Sequence, residues 1–252
     1  MTIETIKSLW RKGVPVNNLF ITGRSNWSAE LLSHSGFDTL TIDMQHGLTE
    51  FSQLLSTLQG ISSGDSVPFV RLNWNDPQEI MKALDYGAQA LICPMIENAS
   101  DAAAFVSAAK YPPLGKRSFG PIRAALKHQG NYFSDANKET LTFAMIETAS
   151  AVEDLDAIAA TPGLDGLYIG PFDLSVSLGL VKKADFSDAN LLAIIDRVLA
   201  LAKQHQLYTG IFTVDPLDAK AMALKGFQLI SCGTEIQLLQ NAAKKWLDQI
   251  TS

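Results

Sequence analysis

Eight short apolar segments recur along the chain, and each is followed by a stretch whose apolar residues have a helical period. Most segments are nearly continuous in apolar residues rather than alternating, which is typical of parallel strands covered by helices. The predicted strands are residues 19–22, 39–43, 68–72, 90–94, 141–146, 166–169, 208–212 and 228–231. The predicted helices are residues 29–34, 50–59, 77–86, 99–109, 151–159, 189–204, 217–224 and 236–250. Eight such pairs predict one α/β domain over residues 1–252, a (β/α)8 TIM barrel.

The alternative fold is a doubly wound open sheet, which would carry a Gly-rich phosphate turn after its first strand. The turn at that place reads TGRSNWS (22–28) and lacks this fingerprint. Within the barrel, the widest connection is residues 111–140, which is rich in Gly, Pro and basic residues. Because long connections in compact domains are usually functional, this segment is predicted to be a lid or a contact surface.

The composition argues against several kinds of partner. A net charge of −6 offers no basic face for a polyanion, so nucleic acid is not an expected partner. Cys93 and Cys232 have neither metal-site nor disulfide spacing, which favours a reducing compartment. The N-terminal stretch has no apolar signal core, and no apolar run approaches the ~20 residues of a membrane span. These features predict a cytoplasmic enzyme or binding protein with no membrane partner.

Polar residues stand at the ends of four predicted strands. Barrel enzymes place their catalytic groups at the C-terminal ends of several strands. His46 follows the second strand, and Arg71 lies near the end of the third. Glu147 follows the fifth strand, and Asp173 follows the sixth. The fold would therefore bring a histidine, an arginine and two carboxylates to one mouth.

Each of these groups has a chemical role and a simpler alternative. Glu147 and Asp173 would form an all-oxygen site for Mg²⁺ or Mn²⁺, unless they are helix caps or surface ion-pair partners. His46 would be a base near neutral pH, unless it is a loop residue without a role. Arg71 would bind a carboxylate or a polarised oxygen, unless it is a buried structural ion-pair partner.

Neighbouring residues could support this group. Asp43, three residues before His46, could orient the histidine ring, and Asp85 at the end of a helix is a second candidate. The turn Gly170-Pro171-Phe172-Asp173 opens a short helix (174–178), whose free backbone N–H groups could hold a substrate carboxylate. No role is predicted for the other histidines, which are His34, His128 and His205.

Taken together, four segments resemble the HpcH/HpaI aldolase family, the 4-hydroxy-2-oxoheptanedioate aldolase group. They run in the family's order, cover most of the chain and read SAELLSHSGFDTLTIDMQHG (28–47), VPFVRLNWNDPQEIMKALDYGAQALICPMIENASDAAAFVSAAKYPPLGKRSFGP (67–121), MIETASAVEDLDAIAATPGLDGLYIGPFDLSVSLG (145–179) and ISCGTE (230–235). The combination is far more specific than any single motif. It implies a barrel of the phosphoenolpyruvate/pyruvate type.

The resemblance also implies class II chemistry, in which a divalent cation (Mg²⁺, Mn²⁺ or Co²⁺) replaces the Schiff-base lysine of class I aldolases. A 2-oxo acid would chelate this metal on Glu147 and Asp173, and Arg71 would help to stabilise the enolate. His46 would move the proton through a metal-bound water, paired with Asp43 or, across a subunit interface, with Asp85.

Substrate contacts and assembly are implied in the same way. Backbone N–H groups around residues 170–173 would hold the substrate carboxylate, and Phe212 on the seventh strand would line the substrate. The family forms homohexamers, trimers of dimers, with an exchanged C-terminal helix. Ordinary barrel closure would equally explain the apolar face of that helix, which comprises Ile236, Leu239, Ala243, Trp246 and Ile250.

Two positions depart from the family pattern. Met145 stands where many members have Gln, two residues before the metal-binding Glu, so a polar contact to substrate or metal water is missing. Gln45 stands before the histidine where others have Glu, which removes a charge beside the base. Activity is expected to survive these changes, whereas substrate preference is expected to differ.

The sequence thus predicts a divalent-metal-dependent class II aldolase that adds pyruvate, or a close 2-oxo acid such as hydroxypyruvate, reversibly to an aldehyde. One alternative is an acyl-CoA lyase of the malyl-CoA/citryl-CoA type. Another is a binding protein or regulator that has lost turnover. Basic residues for the phosphates of CoA would have to come from Lys116, Arg117, Arg123 and Lys127.

Overall fold

Eight parallel strands close into a barrel in which each strand pairs with its neighbours in chain order and the last pairs with the first. The computed structural model describes residues 1–127, 132–180 and 184–251. The strands are β1 (Val16–Ile21), β2 (Thr39–Asp43), β3 (Val67–Arg71), β4 (Ala90–Cys93), β5 (Leu141–Ile146), β6 (Gly166–Ile169), β7 (Tyr208–Thr213) and β8 (Leu229–Thr234). The prediction of a (β/α)8 barrel is confirmed.

The helices lie outside the strands, except for the first. They are α1 (Ile3–Arg11), α2 (Asn26–Ser33), α3 (Phe51–Ile61), α4 (Pro77–Asp85), α5 (Ala99–Ala109), α6 (Tyr132–Glu139), α7 (Ala149–Glu153), α8 (Leu155–Ala159), α9 (Pro171–Ser177), α10 (Ala189–Gln204), α11 (Pro216–Lys225) and α12 (Glu235–Thr251). Many begin where a side-chain oxygen accepts a hydrogen bond from the first turn, as Ser25, Asp76 and Thr148 do. Among the described helices, none is long and apolar enough to cross a membrane.

Two apolar layers hold the barrel together. One lies between the strands and the outer helices, and the other fills the barrel interior with large side chains such as Phe69, Phe143 and Tyr168. Helix α1 is not among the predicted helices, and it closes the N-terminal end of the interior. Its buried Ile6 and Trp10 join the inner layer, and the Trp10 indole Nε1 donates to the Gln228 carbonyl at 2.6 Å.

The described part of the connection 111–140 lies at the same N-terminal end of the barrel, away from the C-terminal ends of the strands. Of the two predicted roles, a lid over its own barrel mouth does not fit this position, whereas a contact surface stays a prediction. Its described part contains a short 3-10 turn, Ala124–Lys127, and α6. Lys110, which enters it, donates through Nζ to the Thr140 carbonyl at 2.6 Å and to Asp165 Oδ2 at 2.7 Å, just before β5 and β6. A connection from a helix to the next strand lies at the N-terminal ends of the strands, opposite the catalytic face.

The helix predicted over residues 151–159 is instead two short helices, α7 and α8. Asp154 separates them with a non-helical backbone (φ −95°, ψ 14°). Its side-chain Oδ2 accepts a hydrogen bond from the Ala99 amide at 2.8 Å, which ties the break to the start of α5.

Candidate active site

A cavity of about 260 Å³ opens at the C-terminal ends of the strands. Its polar wall comprises Thr22, Asp43, His46, Arg71, Asp173 and Thr234. Its remaining wall comprises Phe20, Met145, Gly170, Pro171, Phe172 and Phe212. These residues come from seven strands or the loops that follow them, so the barrel alone brings them together. Three of these residues, Phe20, Thr22 and Thr234, were not predicted site residues, although each lies near the C-terminal end of β1 or β8.

Arg71 and Asp43 form a buried, two-pronged ion pair at the ends of β3 and β2. Arg71 Nε donates to Asp43 Oδ1 at 2.9 Å, and Nη2 donates to Oδ2 at 2.6 Å. The two residues are direct partners in the parallel register of the strands. The guanidinium also lies 5.2 Å from the centre of the Phe20 ring. These contacts fix the plane of Arg71 and leave Nη1 for a ligand in the cavity.

His46 lies in the loop after β2, with an exposed side chain at the mouth of the cavity. In the described structure no hydrogen bond joins the Asp43 carboxylate to the His46 ring, so an orienting role for Asp43 stays a prediction. Asp43 Oδ1 instead accepts from the backbone amides of Gln45 and His46, at 3.1 and 3.2 Å, while the carboxylate also holds Arg71. Gly47 is required in this turn because a Cβ there would lie 2.2 Å from the Asp43 carbonyl oxygen.

Asp85 lies away from the cavity of its own chain. It is the last residue of α4, and nine residues of helix carry it about 13 Å from the edge where α4 begins. Its Oδ1 accepts from Nη2 of the buried Arg117 at 2.7 Å. Within the described chain, no hydrogen bond or ion pair joins Asp85 to His46. A role for Asp85 therefore stays a prediction that needs a second subunit.

Glu147 is fully buried at the end of β5. Its Oε1 accepts from the Met95 amide at 2.7 Å, whereas Oε2 has no hydrogen-bond partner among the described residues. Burial raises the pKa of Glu147 to about 7, and the neighbouring Asp173 carboxylate acts in the same direction. The Met95 amide and the Arg71 charge oppose this rise in pKa. A buried carboxylate oxygen without a partner needs a cation or a proton.

The donor set fits a divalent cation of the Mg²⁺ type. Asp173, exposed in the first turn of α9, faces the same cavity and lies close enough to perturb Glu147. Nowhere in the described chain do three or more His, Cys, Asp or Glu side chains form a potential metal cluster. Two carboxylates and no soft ligands suit Mg²⁺ or Mn²⁺, which take their remaining oxygens from water and substrate.

The turn 170–173 offers fewer free amides than predicted. The Gly170 amide donates to the Ile146 carbonyl at 3.2 Å, and Pro171 has no N–H. The amides of Phe172 and Asp173 remain, since the first turn of a helix has no internal acceptors for them. A substrate carboxylate at this turn would therefore rely on these two donors.

Gly170 is also the residue against which Glu147 packs. A Cβ at Gly170 would lie 2.6 Å from Glu147 Oε2 and 2.6 Å from Met145 Cε. We expect Gly170→Ala to displace the Glu147 carboxylate and to weaken Mn²⁺ binding at least ~10-fold, as supporting-residue changes at metal sites do. Titration calorimetry with Mn²⁺ measures this change. Gly120→Ala is the matched control because a Cβ there meets nothing within 4 Å, and an equal loss in both variants would refute the expectation.

Both Phe212 and Met145, which were predicted to affect the substrate, lie in the wall of the cavity. Phe212 lines the cavity in edge contact with Phe20 (ring centres 5.2 Å apart) and with Phe172 (6.2 Å apart). Met145 forms part of the same wall and is almost fully buried. Of the histidines without a predicted role, His34 and His205 lie at the C-terminal ends of α2 and α10, and His128 lies outside the described residues.

Known proteins resemble this chain over nearly its whole length. The family model described as HpcH/HpaI aldolase/citrate lyase matches residues 17–242. The hydroxypyruvate/pyruvate aldolase of Rhizorhabdus wittichii is 34% identical over 243 residues, 96% of this chain and 97% of that protein. A 4-hydroxy-2-oxo-heptane-1,7-dioate aldolase of Escherichia coli is 33% identical over 244 residues, 96% of this chain and 92% of that protein.

A solved structure agrees with these matches. The HpcH/HpaI aldolase/citrate lyase family protein from Burkholderia cenocepacia superposes with a TM-score of 0.91 at 32% identity and covers all of both chains. The resemblance inferred from the sequence motifs is thereby confirmed. The chain belongs to the HpcH/HpaI aldolase/citrate lyase family, which makes it an enzyme of the carbon–carbon lyase class.

Proposed function

We propose that the protein is a divalent-metal-dependent class II aldolase. It would catalyse the reversible aldol addition of pyruvate, or a close 2-oxo acid such as hydroxypyruvate, to an aldehyde. The observation that carries this proposal is that the buried Oε2 of Glu147 has no hydrogen-bond partner among the described residues. Glu147 is a neighbour of Asp173, which lines the same cavity as Arg71 and His46. The names of the two curated relatives support a 2-oxo acid as the donor substrate.

Binding of the 2-oxo acid would depend on metal-binding carboxylates, a guanidinium and backbone amides that the fold holds in place. Glu147 and Asp173 would hold a Mg²⁺, Mn²⁺ or Co²⁺ ion, which supplies Lewis acidity toward the oxygens of the substrate when it is bound. Arg71 would donate through Nη1 to the oxygen that becomes negative when a proton leaves C3 of pyruvate. The amides of Phe172 and Asp173 would hold the carboxylate. Because Asp43 fixes the guanidinium of Arg71 beforehand, little reorganisation is needed during the reaction.

Proton transfer would belong to His46. A ring nitrogen would accept the proton from C3 of pyruvate and return one to the new hydroxyl oxygen of the aldol product. Its exposed position at the mouth of the cavity leaves the ring accessible to substrate and water. Phe172 and Phe212 form the apolar side of the cavity, where they would exclude water from the enolate.

The acyl-CoA lyase alternative has no support in the described structure. Arg117 pairs with Asp85, and Arg123 donates to the Tyr86 carbonyl, both near the C-terminal end of α4. This end of the barrel lies opposite the cavity. CoA phosphates bound near the cavity would therefore not meet these two arginines within one chain.

Assembly into a homohexamer, a trimer of dimers, is part of the proposal. Helix α12 projects Leu239, Trp246 and Ile250 into solvent, with exposed fractions of 68%, 71% and 79%. Large apolar side chains grouped on one helix are typical of a subunit interface. A second subunit would also be the source of Asp85 for His46.

The first test is exchange of the methyl protons of pyruvate in D₂O, followed by NMR. We expect exchange with Mg²⁺ or Mn²⁺, loss with EDTA, and a fall of at least ~10²-fold in His46→Ala and Glu147→Ala. His34→Ala and Glu153→Ala, which change exposed residues on other surfaces, are the controls and should exchange like the wild type. Absence of exchange with both pyruvate and hydroxypyruvate under every metal would refute the proposal.

A further inference from the structure

Glu235 is a buried carboxylate at the first position of α12, and it binds the loop that follows β1. Its Oε2 accepts from the Thr22 amide at 2.8 Å and from the Thr22 hydroxyl at 3.1 Å. Its Oε1 accepts from the Gly23 amide at 2.5 Å. Only 7% of Glu235 is exposed. The carboxylate thus makes three hydrogen bonds, all of them to a single two-residue segment at the rim of the cavity.

The Glu235 carboxylate lies where the β1–β8 ladder is irregular. Asn18 pairs with Ser231, but Phe20 pairs with Thr234, so β8 contains an extra residue at this point. Gly233, with φ +71°, takes the left-handed conformation that lets the strand bulge. Beyond the bulge, the amides of Thr22 and Gly23, which follow β1, donate hydrogen bonds to the Glu235 carboxylate instead of to a carbonyl of β8.

The loop that Glu235 holds is in turn bonded to the loop that carries His46. The Leu48 amide donates to the Thr22 carbonyl at 2.6 Å, and the Thr49 hydroxyl donates to the Gly23 carbonyl at 3.2 Å. Leu48 and Thr49 follow His46 by two and three residues. A continuous set of hydrogen bonds therefore runs from Glu235 through residues 22–23 to the histidine loop.

We propose that Glu235 is a positioning residue for His46. Its carboxylate fixes residues 22–23, and these fix the loop 44–49 so that the imidazole lies at the cavity mouth. The inference rests on the proposed function, because it takes His46 as the group that moves the proton. Arg71, Glu147 and Asp173 are supported by other strands, so substrate binding should be largely independent of Glu235.

The test replaces Glu235 by glutamine, which keeps the size of the side chain. One acceptor oxygen becomes an NH₂ group, so that two hydrogen-bond donors face each other where the backbone amide now has an acceptor. We expect kcat for pyruvate proton exchange to fall about 10- to 100-fold, since displacement of a catalytic group by ~1 Å has effects of this size. The KM for pyruvate should stay within roughly 2-fold, because uniform binding is unchanged. Amide hydrogen exchange of residues 44–49, measured by mass spectrometry, should become about 10-fold faster.

A second variant, Thr49→Val, removes only the hydroxyl that links the two loops and leaves Glu235 in place. We expect a smaller fall in kcat, and the double variant should lose less than the two single effects combined, because both changes act on one set of contacts. Asp248→Asn, at the exposed end of the same helix, is the control and should match the wild type.

The inference is overturned if folded Glu235→Gln retains wild-type protection of residues 44–49, or if its loss of activity equals the loss of folded protein. Additive effects of the two variants on kcat would overturn it as well. If the wild-type protein itself exchanges no pyruvate protons, the proposed function fails. The hydrogen-exchange measurement would then still show whether Glu235 holds the histidine loop.

Discussion

Replacing Arg71 by lysine is expected to lower kcat for pyruvate proton exchange by about 10²–10³-fold, the usual effect of removing one donor to a developing oxyanion. The two hydrogen bonds to Asp43 occupy Nε and Nη2 of Arg71 and set the direction of Nη1. A lysine keeps the positive charge next to Asp43. It has one nitrogen, however, which cannot pair with Asp43 and reach the substrate oxygen in the same fixed geometry.

Kinetics of the Arg71→Lys variant over a range of pyruvate concentrations tests this expectation, with folding checked by thermal denaturation. Arg24→Lys is the matched control because Arg24 is an exposed arginine that makes a long, 3.4 Å contact with Glu50. If Arg71→Lys retained more than a tenth of wild-type kcat, Arg71 would be a structural partner of Asp43 only. If KM alone rose, Arg71 would contribute equally to ground state and transition state.

Most of the barrel could be predicted from the sequence because its strands are buried on both faces. The strands β2, β5 and β6 begin and end where their apolar runs do. The prediction of β1 began three residues late, since Asn17 and Asn18 do not read as strand residues. Asn18 faces the barrel interior, where its side chain binds Ser231, Thr39 and Thr41 at 2.7–2.9 Å. Such a polar layer depends on neighbours far away in the chain.

The sequence predicted which strand ends supply residues to the candidate site. It did not predict the hydrogen-bond partners of those residues. His46, Arg71 and Asp173 line one cavity, as the order of the strands predicted. The pairing of Asp43 with Arg71 follows from the β2–β3 register, which no local pattern shows. The contacts of Glu235 depend likewise on the shifted β1–β8 register. The sequence shows that an acidic residue follows a strand. It does not show which backbone amides donate to that residue, because those amides are brought there only when the barrel closes.

Replacing Glu147 by glutamine is expected to stabilise the metal-free protein at alkaline pH and to abolish its stabilisation by metal. Below pH 4.5 the carboxyl group is protonated in both the folded and the unfolded chain and has no effect on folding. Between pH 4.5 and about 7 the unfolded chain ionises while the folded chain keeps its proton, so stability is lost progressively over this range. Above about pH 7 the folded chain holds the buried charge, and the loss is complete. The pKa rise from 4.5 to about 7 corresponds to about 3 kcal/mol at pH 8. A buried glutamine N–H₂ without a partner would offset part of this gain.

In EDTA at pH 8, Glu147→Gln should therefore unfold roughly 3–6 °C above the wild type, and the difference should shrink as the pH falls from about 7 and vanish below pH 4.5. Mn²⁺ at 100 times its dissociation constant should stabilise the wild type by about 2.7 kcal/mol and leave the variant unchanged, which reverses the order. Glu153→Gln, on the exposed face of α7, should follow the wild type throughout. Equal stabilisation of Glu147→Gln by Mn²⁺ would contradict metal binding by Glu147. If Glu147→Gln unfolded at a lower temperature than the wild type at pH 8 in EDTA, the buried charge of Glu147 would not destabilise the fold. That outcome would contradict the expectation, because Oε2 has no partner in the described structure to compensate for the charge.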